Sequence, residues 1–190
     1  LDRLVLAIDP SHGTRVLDYE KSMRARNKLF EDGREDARWF DAIEAQMAEL
    51  GVAIAAARAE LVHLITGMMA LLPADSPFPR ADLVLEGALE ERLASASAVE
   101  LEESWRASLR SNRPLDRAAG RALEGPHRAD LLVRHTPKQM DAALSSTGEQ
   151  KALLIGIVLS HARLAAQMTG APPILLLDEI AAHLDRVRRE

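Results

Sequence analysis

The spacing of apolar residues along this 190-residue chain predicts two long helices in its first half. From about residue 35 to 71, apolar side chains recur mostly at intervals of three, four or seven, which is typical of one amphipathic helix. A preceding helix is predicted from about 11 to 31, because Asp9-Pro10-Ser11 is a helix-start signal and Gly33 follows as a stop. Two such helices favour an antiparallel hairpin forming a compact arm. The predicted apolar stripe comprises Trp39, Ile43, Met47, Leu50, Ile54, Leu61, Leu64, Ile65 and Met68.

Shorter and more varied segments follow the first half. A proline-rich break at 72–79 separates the long helix from them, and the apolar stretch 153–166 predicts a core helix. The fold class is therefore predicted to be mixed α/β and rich in helix. The remaining predicted elements are a strand at 82–87, a helix at about 97–112, strand candidates at 121–124 and 130–134, and a buried strand at 174–177.

Composition excludes several classes of protein. The chain is 47% apolar and 28% charged, which is ordinary for a soluble globular protein, and it has no cysteine for disulfides or thiolate zinc sites. The sequence has no signal peptide and no run of about 18 apolar residues, so we expect no membrane insertion and a cytoplasmic location. Aromatic residues are only 3% and the net charge is −5, which argues against a base-stacking platform or a uniformly basic nucleic-acid binder.

Local basic clusters leave room for a nucleic-acid contact. A solvated helix face is the more ordinary interpretation of each cluster. The first comprises Arg15, Lys21, Arg24, Arg26 and Lys28, and the second comprises Arg106, Arg110, Arg113, Arg117, Arg121, Arg128, Arg134 and Lys138.

Two segments near the end of the sequence carry the chemistry. Ser145 to Gln150 (SSTGEQ) resembles the start of a helix, whose unpaired N–H groups favour anions. Ile174 to Glu179 (ILLLDE) has the form of an apolar strand that ends in two carboxylates, which can hold Mg²⁺ and polarise water. Each has an ordinary alternative, because Ser146 with Glu149 is also a simple capping box and a buried strand can end in acids without function. Their order and distance favour a nucleotide-hydrolysing protein.

These segments resemble the motifs of the ABC-type ATPases, and within them the RecF family of bacterial DNA replication and repair ATPases, which is related to the SMC proteins. Ser146-Thr147-Gly148-Glu149 is similar to the signature motif, and Ile174 to Glu179 to the Walker B strand. Ala182-His183-Leu184-Asp185 is similar to the D-loop. Leu4 to Tyr19 and Gly125 to Leu131 also resemble RecF segments, so the likeness extends along nearly the whole chain. Thr147 stands where many signatures have a first glycine.

The resemblance implies a role for each matched residue. Asp178 is expected to help hold Mg²⁺, and Glu179 to orient and deprotonate the attacking water. Ser146 and the N–H of Gly148 are expected to meet the γ-phosphate of ATP bound to a second subunit, and Asp185 to link the two sites. The implied protein is an ATP-dependent homodimer that hydrolyses ATP slowly. It binds gapped, single-stranded or junction DNA, works with a recombination mediator protein, and supports gap repair, mediator loading and the SOS response.

One expected motif is missing from the sequence. No G-x-x-x-x-G-K-[ST] phosphate loop occurs, so we expect a fragment that lacks the N-terminal Walker A region and is inactive alone. The predicted division is a helical lobe at 1–112 and a partial ATPase head at 113–190, with a hinge near 112–120. The rival interpretation is a non-catalytic helical interaction module whose motif-like segments are caps and core.

Overall fold

The computed structural model describes residues 1–73 and 75–176. These residues form six α-helices and a small sheet, in agreement with the predicted helix-rich mixed α/β class. The helices are α1 (Asp2–Leu6), α2 (His12–Glu31), α3 (Ala37–Ala70), α4 (Ala98–Ser111), α5 (Arg113–Ala119) and α6 (Thr147–Thr169). The strands are β1 (Ala81–Glu86), β2 (Asp130–His135) and β3 (Met140–Asp141).

The chain divides into two compact units, each made of two stretches of sequence. The first contains Leu1–Ala59 and Leu85–Asp130, and the second contains the described residues of Glu60–Val84 and Leu131–Glu190. Within the first unit, α2 and α3 are antiparallel, because Ser22 contacts Gln46, Arg26 contacts Glu44 and Phe30 stacks on Phe40. The predicted hairpin is confirmed. The functional division at 112/113 stays a prediction.

The core of the first unit is packed around Tyr19 of α2, the middle of α3 and Trp105 of α4. Gly51 lies at their meeting point, where a Cβ would be 3.4 Å from Leu89 and 3.5 Å from both Trp105 and Tyr19. The predicted stripe of α3 is largely correct, with Met47 and Ile54 almost fully buried. Trp39 is the exception: it is 64% exposed, and its neighbour Phe40 is buried instead.

A buried ion cluster holds α2, α3 and α5 together. Arg26 is fully buried and donates to Glu44 at 2.8 Å, to Asp116 at 2.5 Å and to the carbonyl of Leu109 at 2.7 Å. Arg113 adds further contacts to Glu44. Because each buried charge has an opposite partner, the cluster can be accommodated in the interior.

The sheet of the second unit has the strand order β1-β2-β3. β2 and β3 are antiparallel, with Arg134 opposite Asp141 and His135 opposite Met140. α6 buries its middle against the residues that precede the sheet, since a Cβ at Gly156 would lie 3.4 Å from Phe78, 3.5 Å from the Pro79 carbonyl and 3.8 Å from Met69. The predicted core helix is therefore present.

Two helices, α3 and α6, are long and apolar enough to cross a membrane by length and composition alone. Their most apolar windows are 44% and 56% buried within the structure. Buried Glu44 and Arg58 on α3 take part in ion pairs. Buried charges on a helix are ordinarily paired in this way where the helix packs inside a protein.

Two predicted strands are wrong in the described residues. Residues 121–124 form no strand, because the backbone N–H of Leu123 donates to the Asp116 side chain at 2.9 Å instead of to a neighbouring strand. Residues 174–176 also lie outside any strand, and Ile174 and Leu176 are 90% and 93% exposed. An apolar run becomes a strand only where a neighbour accepts its ladder hydrogen bonds.

Candidate functional site

The signature-like residues lie at the N-terminus of α6, directly after β3 and a 3-10 turn at Ala142–Leu144. Ser146 is the N-cap, with extended backbone angles (φ −62°, ψ 155°) that allow the helix to begin at Thr147. Gln150, in the first turn, donates through Nε2 to the carbonyls of Ala143 and Ser145, both at 3.1 Å. This contact fixes the preceding turn against the start of the helix.

Ser146 and Glu149 form the capping box that the sequence predicts. Glu149 Oε2 accepts from the backbone N–H of Ser146 at 3.1 Å and from its hydroxyl at 2.9 Å. The hydroxyl proton of Ser146 is therefore already engaged by Glu149. A phosphate oxygen could accept that proton only if the hydroxyl turned away from the carboxylate.

A lysine from another element contacts the same carboxylate. Lys138, in the 3-10 turn between β2 and β3, places Nζ 2.5 Å from Glu149 Oε1. Hydrogen bonds from Lys138 and Ser146 lower the pKa of Glu149 to about 2. Glu149 is therefore ionised at neutral pH, and both of its oxygens have partners. Sequence reasoning included Lys138 only in a basic cluster, because nothing in the local pattern brings residues 138 and 149 together.

The first residues of α6 are accessible to an anion. Ser146, Thr147 and Gly148 are all exposed. Within residues 1–73 and 75–176, a Cβ built on Gly148 would meet nothing within 4 Å, so no described atom crowds this part of the helix start. The first N–H groups of a helix lack partners within the helix, and its dipole favours negative charge there. These residues therefore fit a phosphate group approaching from outside.

The other predicted site residues, Asp178, Glu179 and Asp185, lie outside the described residues. Across residues 1–73 and 75–176, no group of three or more His, Asp or Glu side chains is placed to hold a metal ion. The proposed Mg²⁺ ligand Asp178 is therefore neither supported nor opposed by the geometry.

The Gly-Pro-His-Arg turn is anchored inside the first unit. The Pro126 carbonyl accepts from Arg58, whose guanidinium also binds both oxygens of Asp2 at 2.7 Å. His127 Nε2 lies 3.3 Å from the Ala122 carbonyl, and burial lowers the pKa of His127. The turn thus satisfies local backbone groups.

Gly125 in this turn has no room for a side chain. Its φ of 139° is unfavourable for other residues, and a Cβ would lie 2.3 Å from the Tyr19 hydroxyl. The turn and α2 are therefore in direct contact at this point.

The first basic cluster is fully paired with acids, whereas three of the eight members of the second have an acidic partner in the described part of the chain. All members of the first have a carboxylate partner: Arg15 with Asp9, Lys21 with Asp18, Arg24 with Glu20, Arg26 with Glu44 and Asp116, and Lys28 with Glu31 and Asp32. In the second cluster, Arg110 and Arg113 both bind Asp41, and Lys138 binds Glu149. The geometry therefore favours solvated or structural faces for these residues.

Comparison with known proteins shows extensive sequence similarity over this whole chain. It is 68% identical over 189 residues to the DNA replication and repair protein RecF of Mesorhizobium japonicum, and 65% identical to that of Brucella abortus. The alignments cover 100% of this chain but 50% and 49% of those proteins. The chain thus spans about half the length of the curated relatives it matches. No protein-family profile matches it.

Solved structures show the same fold. One, described as the recombination mediator protein RecF-ATP in the RecFOR pathway, superposes with a TM-score of 0.85 at 22% identity, covering 99% of this chain and 51% of that one. A second, described as RecF-ATPrS in the same pathway, gives a TM-score of 0.83 at 22% identity, covering 100% and 51%.

Proposed function

This chain belongs to the RecF family, and we propose that it contributes the signature helix of an ATP-dependent DNA repair protein. The observation that carries the proposal is the exposed, uncrowded start of α6, where Ser146, Thr147 and Gly148 present the end of a 23-residue helix. The family membership supports it, as does the description of two structural neighbours as RecF-ATP and RecF-ATPrS. Thr147, at the position of a frequent glycine, limits how closely a phosphate approaches.

The length of α6, compared with the reach of the segment that follows it, supports contact between Ser146 and the nucleotide of a second subunit. At 1.5 Å per residue, the 23 residues of α6 place Ser146 about 35 Å from the end of the helix. Only seven residues lie between Gly170 and Asp178, and even when fully extended this segment reaches back no more than about 29 Å. Asp178 and Ser146 of one chain could share a metal-bound phosphate only if the segment after Gly170 ran fully extended back along α6, so an ATP-dependent homodimer brings the two kinds of motif together more readily.

The remaining roles are proposals that follow from the family. Asp178 would hold Mg²⁺, the Glu179 carboxylate would orient a water and take its proton, and Asp185 would connect the two sites. Bound ATP with Mg²⁺ would supply the phosphate that α6 recognises. The intact protein would hydrolyse ATP slowly and bind gapped, single-stranded or junction DNA in the cytoplasm. It would act with a recombination mediator protein in replication, repair, recombination and SOS induction.

A second candidate, a non-catalytic interaction module, has one observation in its favour. The capping box is complete without any ligand, because Glu149 already engages the Ser146 hydroxyl. This candidate predicts that changes at Ser146 affect helix stability alone.

Replacement of Ser146 by arginine distinguishes the two candidates. In a full-length RecF protein containing this sequence, S146R is expected to leave ATP binding to the monomer nearly intact and to block ATP-driven dimerisation, because a bulky side chain fills the place of the phosphate. Sedimentation with and without ATP measures dimer formation, and nucleotide binding is measured separately. Ser111→Arg is the matched control, since Ser111 is an exposed serine at the end of α4. ATP-driven dimerisation retained by S146R would refute the proposal and favour the interpretation of the motif as a local cap.

A further inference from the structure

We infer that Lys138 is a positioning residue that makes the start of α6 attractive to phosphate by neutralising Glu149. The inference rests on the proposed function of that helix start. It addresses a difficulty in the capping box: Glu149 holds a full negative charge at the place where a more negative group must approach.

The charges at the helix start can be counted. The helix dipole contributes about half a positive charge at its N-terminus. With the ionised Glu149 alone, the local sum is about half a negative charge, which repels phosphate. The Lys138 ammonium, 2.5 Å from Glu149 Oε1, restores a sum of about half a positive charge. In this sum of the helix dipole, Glu149 and Lys138, the sign of the charge at the helix start depends on the lysine.

Lys138 is held in place independently of α6. Its turn is fixed by backbone contacts: Lys138 N–H donates to His135 Nδ1 at 3.3 Å, and Gln139 N–H donates to the Thr136 carbonyl at 3.2 Å. His135 is buried, and Gln139 has a left-handed backbone with φ 53°. The lysine therefore comes from a fixed turn on the sheet, and its position does not depend on the local conformation of the signature.

The ordinary interpretation is a surface salt bridge that adds little to stability. The side chains of Lys138 and Glu149 are 48% and 24% exposed, so such a pair contributes little to folding. That argument does not apply to ligand binding. Without Lys138, the unpaired Glu149 carboxylate would lie next to the phosphate itself. The two interpretations differ in what happens when Glu149 is neutralised by mutation.

Three variants of the full-length protein test the charge count. Lys138→Met removes the positive charge at similar length, and Glu149→Gln removes the negative charge while keeping a residue that completes a capping box. The double variant has the same net charge at the start of α6 as the wild type. We expect K138M to weaken ATP-driven dimerisation about tenfold at low salt, E149Q to strengthen it, and the double variant to return within about threefold of wild type.

Salt, a conservative substitution and a remote lysine complete the experiment. The K138M defect should shrink as salt increases, and Lys138→Arg should retain most of the wild-type affinity. Lys28→Met is the matched control, because Lys28 lies in a comparable surface pair with Glu31 and Asp32. Circular-dichroism melts of each variant verify folding.

Each result decides between defined outcomes. A double variant as weak as K138M would overturn the inference, since Lys138 would then act by direct contact or by supporting the fold. Normal dimerisation by K138M would overturn it too. S146R run in the same assay keeps the two proposals apart: if S146R still dimerises with ATP, the proposed function itself fails. If only S146R is defective, the role of Lys138 alone is refuted.

Discussion

Arg26 offers a sharp test of how the helical hairpin is held together. We predict that Arg26→Met destabilises the chain strongly, whereas Arg24→Met on the same helix has almost no effect. Arg26 is fully buried with three hydrogen-bonded partners, and Arg24 is 63% exposed and makes one 3.4 Å contact with Glu20. The two substitutions are chemically identical and only two residues apart.

The expected loss of folding stability follows from the buried groups that lose a partner when Arg26 is replaced. Methionine fills a similar volume, so the loss is mainly electrostatic. Asp116 would keep only the Leu123 N–H as a partner, and the Leu109 carbonyl would lose its donor. Glu44 would still contact Arg113. Removing one partner from a buried ion pair typically costs about 3–5 kcal/mol, whereas an exposed pair contributes less than about 1 kcal/mol.

Urea unfolding of the 190-residue chain, followed by circular dichroism, measures both variants. A loss of about 3–5 kcal/mol is a large part of the stability of a typical domain, so R26M should be largely unfolded in little or no urea. R24M should match the wild-type midpoint closely. Adding Asp116→Asn to R26M should recover part of the loss, because the unpaired buried charge is removed. Similar midpoints for R26M and R24M would refute the argument that the buried cluster holds α2, α3 and α5 together.

Two further predictions concern the proposed role of Glu179 and acid stability. In the full-length protein, Glu179→Gln should preserve ATP-dependent dimerisation and slow hydrolysis at least about 10²-fold, as expected for loss of a general base; unchanged turnover would remove Glu179 from that role. Burial raises the pKa of Asp2, but hydrogen bonds from Arg58 and His12 outweigh it and lower that pKa to about 2. The carboxylate therefore contributes stability above pH about 4 that is lost as pH falls towards 2, about 1 kcal/mol after allowance for its exposure. Urea midpoints at pH 5 and pH 2 should differ less for Asp2→Asn than for wild type, and equal differences would contradict this contribution.

Local signals in the sequence placed most helices correctly. α2 ends at Glu31 with Gly33 just beyond, and α4 begins after Ser97, whose capping box with Glu100 is visible in the sequence. Pro114 lies in the first turn of α5, where the missing backbone N–H of proline is tolerated. The short helix α1 and the two-residue strand β3 were not predicted, because elements of this length depend on tertiary contacts.

In the candidate site, the sequence predicted only the contacts between residues that are close together along the chain. The capping box of Ser146 and Glu149 spans four residues, so spacing revealed it. Lys138 lies eleven positions away on a different element, and no helix or strand period connects it to Glu149. Trp39 and Phe40 illustrate a similar limit, because the periodic pattern of a long helix does not decide which of two adjacent aromatic residues the neighbouring helix covers.

The pairing of the first basic cluster has a consequence for how nucleic acid would bind there. Cations that are free before binding displace the ions condensed on DNA, and this release makes affinity fall steeply with salt. Arg15, Lys21, Arg24 and Lys28 each already face a carboxylate, so a phosphate would have to replace that acid and leave it beside the DNA backbone. The gain in counterion entropy is then largely cancelled. Charges arranged in this way contribute little to a general, salt-dependent attraction to DNA.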